Sequence, residues 1–472
     1  MLFVSHSFLE VFLPLTVLLF FGQALFSGAG VLVLLVSSFV FCANNGVWQG
    51  ELLVISILFN FMVGIGIGAA ARHPQWIKRA ALIFGVTGDV AVLGYFKYAG
   101  FLVANFNQIS GFQVTDPKVT LPVGISFYTF TQIAFLVDAY RGKAPTRPSL
   151  PIYALFVTYF PHVIAGPILH WREMIPQFEG IASNFVNRTL TEQYREKICR
   201  GFALFGIGLA KKLLVADQLA PFVAQGFDSG GNVTFADAWL TSLAYTFQLY
   251  FDFSGYTDIA IGVSLFFGVT LPFNFDSPYK SKSIQEFWRR WHMTLSRWLR
   301  DYVFIPLGGS HGSMIVTLRN LFLTFVIGGL WHGASWTFVI WGAMHGSAIA
   351  AHRLWTAAGL RLPSLMAALL TFLFVNVAWV FFRAPDVSSA LSLLKAMGSP
   401  VALSTARLAA PPYGLLLFAA LLTWACPSSQ KIALETRIAM HPAGAALAGA
   451  MIAMSIFTLN TAAPSPFLYF NF

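Results

Sequence analysis

The chain has 472 residues, of which 57% are hydrophobic and only 10% charged, with a formal net charge of +10. A soluble domain carries about 25% charged residues, and the mean hydropathy here is +0.69, so composition alone excludes a water-soluble enzyme. The cations sit in short loops and form no basic module, which excludes nucleic acid as a partner and leaves the lipid bilayer as the surroundings.

The first segment, MLFVSHSFLEVFLPLTVLLFF, lacks the basic start of a cleaved signal and reads as a retained membrane helix. A spanning helix needs about 20 mostly apolar residues. Runs of that character lie near 8–26, 29–43, 52–70, 80–104, 121–139, 152–169, 201–216, 237–268, 314–330, 334–357, 364–382, 412–426 and 443–461. The 152–169 run contains Pro161, His162, Gly166 and Pro167, which predicts a re-entrant segment, since broken backbone at membrane depth survives only against protein or water. The expectation is an all-α polytopic membrane protein with about ten to twelve transmembrane helices, plus re-entrant or interfacial helices. No internal repeat, low-complexity linker or soluble module interrupts the chain, so residues 1–472 read as a single membrane domain.

Basic loops set the orientation. They hold Arg72, Lys78 and Arg79; then Arg141, Lys143 and Arg147; then Arg172, Arg188, Arg195, Lys197 and Arg200, up to Lys211 and Lys212; and, richest, residues 280–300. Placing them all in the cytoplasm puts the N-terminus outside. The three cysteines, Cys42, Cys199 and Cys426, are far apart and form no CxxC pair, so neither a disulfide framework nor a metal site is expected.

Five stretches carry chemistry. LPVGISFYTFTQ (121–132) and YFPHVIAGPI (159–168) offer Ser126, Tyr128, Gln132 and His162 as lining groups beside Pro and Gly breaks. YFDFSGYTDIAIG (250–262) places Asp252, Ser254, Tyr256 and Asp258 in an apolar segment. Carboxylates at that depth mark a substrate or water path or a polar cluster tying helices together. For Asp252 we favour the cluster; Asp258 is expected to orient a histidine or touch the acceptor. FWRRWHMTLSRWLRDYVFIPLGG (287–309), taken as one helix, puts Trp288, Trp291, Leu295, Trp298, Leu299 and Tyr302 on one arc, and Arg289, Arg290, Arg297 and Arg300 opposite. That predicts an interfacial helix whose arginines either anchor to lipid headgroups or form a cationic mouth for a phosphate-bearing donor. His292, beside Trp288 and Ser296, is open between an ordinary interfacial residue and a functional one.

GGLWHGASWTFVIWGAMHG (328–346) follows an apolar run and buries His332 where ionisable groups are rare and face a cavity or a bundle interior. A neutral imidazole can take up a proton near neutral pH. Trp331 and Gly333 flank it, and Gly328, Gly329 and Gly333 leave room for a ligand or for close helix packing. His345 and His352 share a helix face and read as packing or interface residues. With His332 they make no metal site, because no carboxylate or cysteine joins them.

These five motifs, in this order, closely resemble the membrane-bound O-acyltransferase (MBOAT) family, and within it the bacterial branch of membrane subunits that O-acetylate alginate or cellulose. The resemblance is strongest over residues 90–385. It implies a ring of tilted helices around a central tunnel, with His332 catalytic and His292 the second functional histidine. It implies no bound cofactor; the donor substrate is a cytoplasmic thioester, acetyl-CoA or an acyl-carrier thioester. The basic cluster Arg289, Arg290 and Arg297 would receive that donor. Trp331, Gly333, Trp288, Ser296, Asp258, Tyr256, Ser126, Gln132 and His162 would line the tunnel. It also implies a bacterial inner membrane, periplasmic acetyltransferase partners and an exopolysaccharide synthesis and secretion complex. Two other readings share these features: D-alanyl transfer from a carrier protein, and a transporter of an acylated intermediate.

Overall fold

The computed structural model describes the chain except residues 23–28, 45, 71–72, 145–148, 165, 189–190, 231, 400–407, 409–410, 463 and 469–472, and except the side chains of 182–188. Arg72, Arg147 and the Arg188 side chain, assigned above to basic loops, therefore lie outside the described residues.

Among the described residues every regular element is a helix. They are α1 Leu13–Gly22, α2 Ala29–Ala43, α3 Val47–Ala69, α4 Gln75–Ser110, α5 Ile125–Tyr140, α6 Leu150–Thr158, α7 Phe160–Val163, α8 Trp171–Arg188 and α9 Glu192–Leu209. There follow α10 Asp217–Asp228, α11 Phe235–Phe266, α12 Ile284–Arg290, α13 Met293–Leu299, α14 Met314–His332, α15 Trp336–Ala357, α16 Ser364–Arg383, α17 Val387–Gly398, α18 Tyr413–Ala425 and α19 Pro442–Thr461. Among the described residues, five are long and apolar enough to cross a membrane unaided: α3, α4, α14, α16 and α19. At about 1.5 Å per residue, the 36-residue α4 outruns a hydrocarbon core of about 30 Å, so it must tilt or project. Ile55, Phe84 and Leu365 stand well exposed on these helices, as lipid-facing residues should.

The residues group into two compact units, one of residues 1–205, 259–272 and 437–448, the other of 206–258, 273–436 and 449–472. In the first, the abundance of phenylalanine has a packing reason. Phe3, Phe8, Phe12, Phe41 and Phe160 form one ring cluster with centroids 5.0–6.3 Å apart. The predicted break in 152–169 is present: α6 stops at Tyr159 and the single turn α7 follows. His162, on that turn, is fully buried, with Nε2 3.2 Å from the Phe156 carbonyl. Gln132 is likewise buried and bonded: Asn60 and Ser56 both donate to its Oε1, and Asn60 also donates to Asp89 at 2.7 Å. Tyr128 is buried on the same helix and Ser126 is half-buried.

The second unit holds α12 to α18. Here α14 and α15 cross at glycines, because a Cβ on Gly342 would strike the Phe325 carbonyl and one on Gly329 the Phe338 carbonyl. Two lysines, buried Lys212 and half-buried Lys211, tie this unit together. Lys212 pairs with Asp252 at 2.6 Å and Asp217 at 2.7 Å, and also donates to Ser465. Lys211 pairs with Asp258 at 2.7 Å. The polar-cluster reading of Asp252 is the one realised.

Candidate active site

His332 is the last residue of α14; extended Gly333 ends the helix, and Ser335 caps α15 by accepting from the Thr337 N–H at 3.3 Å. The imidazole is 4% exposed and caged by rings. Trp331 lies 4.8 Å away, with Trp341 and Phe382 edge-on at 5.0 Å each. Gly333 serves packing as well as the site, for a Cβ there would enter the Phe338 ring.

His292 is held in another way. The predicted single helix over 287–309 is broken: α12 ends at Arg290, Trp291 is extended, and His292 takes the left-handed conformation (φ 42°) before α13. The cause is the preceding loop, which pairs with the break through Asp276 N–H to the Arg290 carbonyl (2.9 Å) and Met293 N–H to the Asn274 carbonyl (3.0 Å). Asn274 Oδ1 also accepts from the Thr294 N–H at 3.2 Å and its hydroxyl at 2.9 Å, and stands 3.1 Å from His292 Nδ1. A backbone N–H can only donate, so the amide atom facing it is oxygen, and His292 Nδ1 carries a proton and donates. The residue lies in none of the candidate spans, and burial pushes its pKa down to about 3. The ring is therefore neutral, with the lone pair on Nε2. Asn274 was missed in the sequence; its one signal was a lone amide between phenylalanines in LPFNFDSPY.

The structure brings the two histidines together through Trp331, whose indole lies 6.2 Å from His292 and 4.8 Å from His332. Trp288 adjoins the same cluster, 5.8 Å from Trp341, and its indole N–H donates to His345 Nδ1 at 3.1 Å. That fixes His345 as a neutral ring protonated at Nε2, boxed by Phe374 and Trp341: a packing residue, as expected.

Two cavities border this cluster. One, about 460 Å³, is lined by Trp288, Ser296 and three arginines, Arg289, Arg297 and Arg300, and by Thr324 and Ile349. Arg290, grouped with Arg289 and Arg297 in the sequence, does not line this cavity. It turns to Glu286 at 2.9 Å and to the Asp276 carbonyl, and Arg300 takes its place. The other, also about 460 Å³, is walled by Gly333, Ser335, Thr337, Phe382 and Arg383. Thr324 of the first cavity and Gly333 of the second are nine residues apart at the end of α14, and Thr337 and Ile349 twelve apart on α15. At 1.5 Å per residue the cavities are offset along these helices by about 13–18 Å, with the Trp288, Trp341 and Phe382 rings between.

Asp258 is placed differently from expectation. Its carboxylate accepts from Lys211, from Ser429 at 2.6 Å and from Gln430 at 3.4 Å, so these contacts, and not a histidine, hold it. Tyr256 is buried against Phe467, ring centroids 4.1 Å apart.

The sequence model of the membrane-bound O-acyltransferase family matches residues 110–384, more than half of the chain. The chain belongs to the MBOAT family. It is 42% identical to the peptidoglycan O-acetyltransferase of Helicobacter pylori, over 84% of this chain and 80% of that one. It is 44% identical to the probable alginate O-acetylase AlgI of Pseudomonas aeruginosa, over 84% of this chain and 75% of that one. The teichoic acid D-alanyltransferase of Bacillus subtilis is more distant, 29% identical over 55% of this chain and 68% of that one. The MBOAT chain described here is thus an acyltransferase of the AlgI type, and the motifs that carried the resemblance fall within the matched residues.

Proposed function

We propose that this protein moves an acetyl group from a cytoplasmic thioester, acetyl-CoA, through the bacterial inner membrane for O-acetylation of an exopolysaccharide, with periplasmic partner proteins completing the transfer. The observation that carries this reading is His332 packed against Phe382, which lines one cavity, while a second cavity on the same two helices is lined by three arginines. Arginines recognise phosphates bidentately, so the Arg289, Arg297 and Arg300 cavity suits a donor bearing phosphates. The names of two relatives above 40% identity, a peptidoglycan O-acetyltransferase and a probable alginate O-acetylase, support a polysaccharide as the acceptor class; alginate and cellulose are the candidates.

In the proposed reaction His332 removes the proton of the attacking hydroxyl as its oxygen bonds to the thioester carbonyl carbon; the C–S bond then breaks and the leaving thiolate takes the proton back. His292 has its lone pair on Nε2, so it cannot donate from that nitrogen to an oxyanion. The role left to it is to accept a hydrogen bond from a donor amide N–H and so position the thioester. Oxyanion stabilisation from Nε2 would need the opposite tautomer.

The test is acetyl-CoA turnover by the purified chain in proteoliposomes, native against His332→Ala, with and without candidate acceptors. CoA release by native protein and none by the variant is expected. Turnover persisting in His332→Ala would sink the proposal. Consumption of a D-alanyl carrier thioester with acetyl-CoA left intact would favour the D-alanyl reading, and intact thioester of both kinds a transporter.

A further inference from the structure

We infer that a groove between α15 and α16 holds one anionic phospholipid of the bilayer, its phosphate on Lys282 and Arg361 and an acyl chain laid along the small residues below. The inference does not depend on the acyl-transfer function proposed above. The groove has a volume of about 600 Å³, within the range of small-ligand sites, about 300–1,000 Å³. It lies wholly in the second unit and shares no lining residue with either cavity of the candidate active site.

Its two ends differ in chemistry. α15 stops at Ala357 and α16 begins at Ser364, so the last turn of one and the first turn of the other share a rim. On that rim stand Arg361, Trp355 and Thr356. The loop before α12 adds Lys282, whose ammonium donates to Ser364 Oγ at 3.3 Å and is thereby kept at the groove. Among the described residues no acidic side chain lines it. Glu286, which accepts the Lys282 N–H at 2.9 Å, is already paired with Arg290. Two cations beside hydroxyls match a phosphate, and tryptophan is the ring that settles at headgroup level.

Away from the rim the walls turn apolar. Ala348, Ala351 and Ala367 keep side-chain bulk out of the cleft, and Leu370 and Phe374 continue it. Its far end rests on Phe374, which packs 5.3 Å from His345. Ser364 and Phe374 are ten residues apart, about 15 Å along α16, which is half of a hydrocarbon core of about 30 Å. A cleft charged at one end and apolar over the depth of one leaflet fits a lipid better than a soluble phosphate. On the positive-inside rule the basic segment 280–300 faces the cytoplasm, so the groove opens to the cytoplasmic leaflet, where basic pockets between membrane helices bind anionic headgroups.

The experiment is native mass spectrometry of the full chain, released from detergent after titration with phosphatidylglycerol or with phosphatidylcholine of the same acyl chains. Native protein should retain one phosphatidylglycerol, about tenfold tighter than phosphatidylcholine. Lys282→Gln and Arg361→Gln should each weaken that binding about fivefold, whereas Lys395→Gln, at a cation of the same unit outside the groove, should leave it unchanged. Ala367→Trp fills the cleft with both cations intact and should weaken binding about tenfold by excluding the chain. If Ala367→Trp does not stay monodisperse, glycerol 3-phosphate decides: the headgroup without chains should fail to compete even in large excess. Equal retention of the two lipids, retention of neither, or binding unchanged when both cations are replaced overturns the inference. So does an equal loss in Lys395→Gln, an unaffected Ala367→Trp, or competition by glycerol 3-phosphate, which would make this a site for a soluble phosphate.

Discussion

His292 and His332 share the indole of Trp331, but the fold fixes them by different forces. Hydrogen bonds hold His292: Asn274, reaching from a loop 18 residues away, sets its tautomer and the break in the helix at once. Rings surround His332, at a helix end where Gly333 admits Phe338. A hydrogen bond chooses which nitrogen carries the proton. A ring cage restricts the orientation of the imidazole. The contrast fits a positioning residue at 292 and a base at 332, and it can be broken experimentally.

The largest effect expected is at the base. His332→Ala should lower kcat by at least about 10²–10⁴-fold with the thermal midpoint nearly unchanged, followed as CoA thiol release. A smaller loss, about 10–100-fold, is expected for Asn274→Leu, which keeps the side chain's size but removes the acceptor for His292 and Thr294. Asn274→Asp, which retains an acceptor oxygen, should recover most of it. If both variants behave alike, hydrogen bonding does not hold His292.

The arginines sharpen the same comparison on the donor side. Arg297→Gln should raise KM for acetyl-CoA about tenfold with kcat little changed, the mark of lost uniform binding. Arg290→Gln, already paired with Glu286, should shift KM by no more than about twofold. The smallest effect is on acid stability. The His292 pKa falls from 6.5 to about 3 on folding, so the unfolded chain binds the proton first as pH drops. Stability contributed by the neutral ring is complete above about 6.5 and is lost progressively toward pH 3. His292→Asn should flatten that part of a thermal-midpoint-against-pH curve; an unchanged slope would mean the ring is not buried neutral.

How far the site was legible depended on the range of the forces involved. The burial of His332 could be read from sequence because the residue follows an apolar run. The 287–309 stretch was misread as one helix because its 3.6-residue pattern is real within α12 and again within α13. What interrupts it is Asn274, whose bonds no local pattern records. Arg290 had the same phase as Arg289 and Arg297, and only Glu286 and the Asp276 loop separate it from them. Asp258 looked like a partner for a histidine until Lys211 and Ser429 were found around it.

Sequence by itself determined that this chain is helical, lives in lipid and carries five ordered motifs of the MBOAT family. Apolar run length and the cost of an ionisable group in hydrocarbon act within a few residues and need no fold to be felt. The tertiary structure alone decided which arginines share a cavity, which nitrogen of His292 keeps its proton, and that Arg383 faces the space beside His332. Those outcomes depend on hydrogen bonds and charges between segments tens to hundreds of residues apart, and only the folded chain brings them within reach of one another.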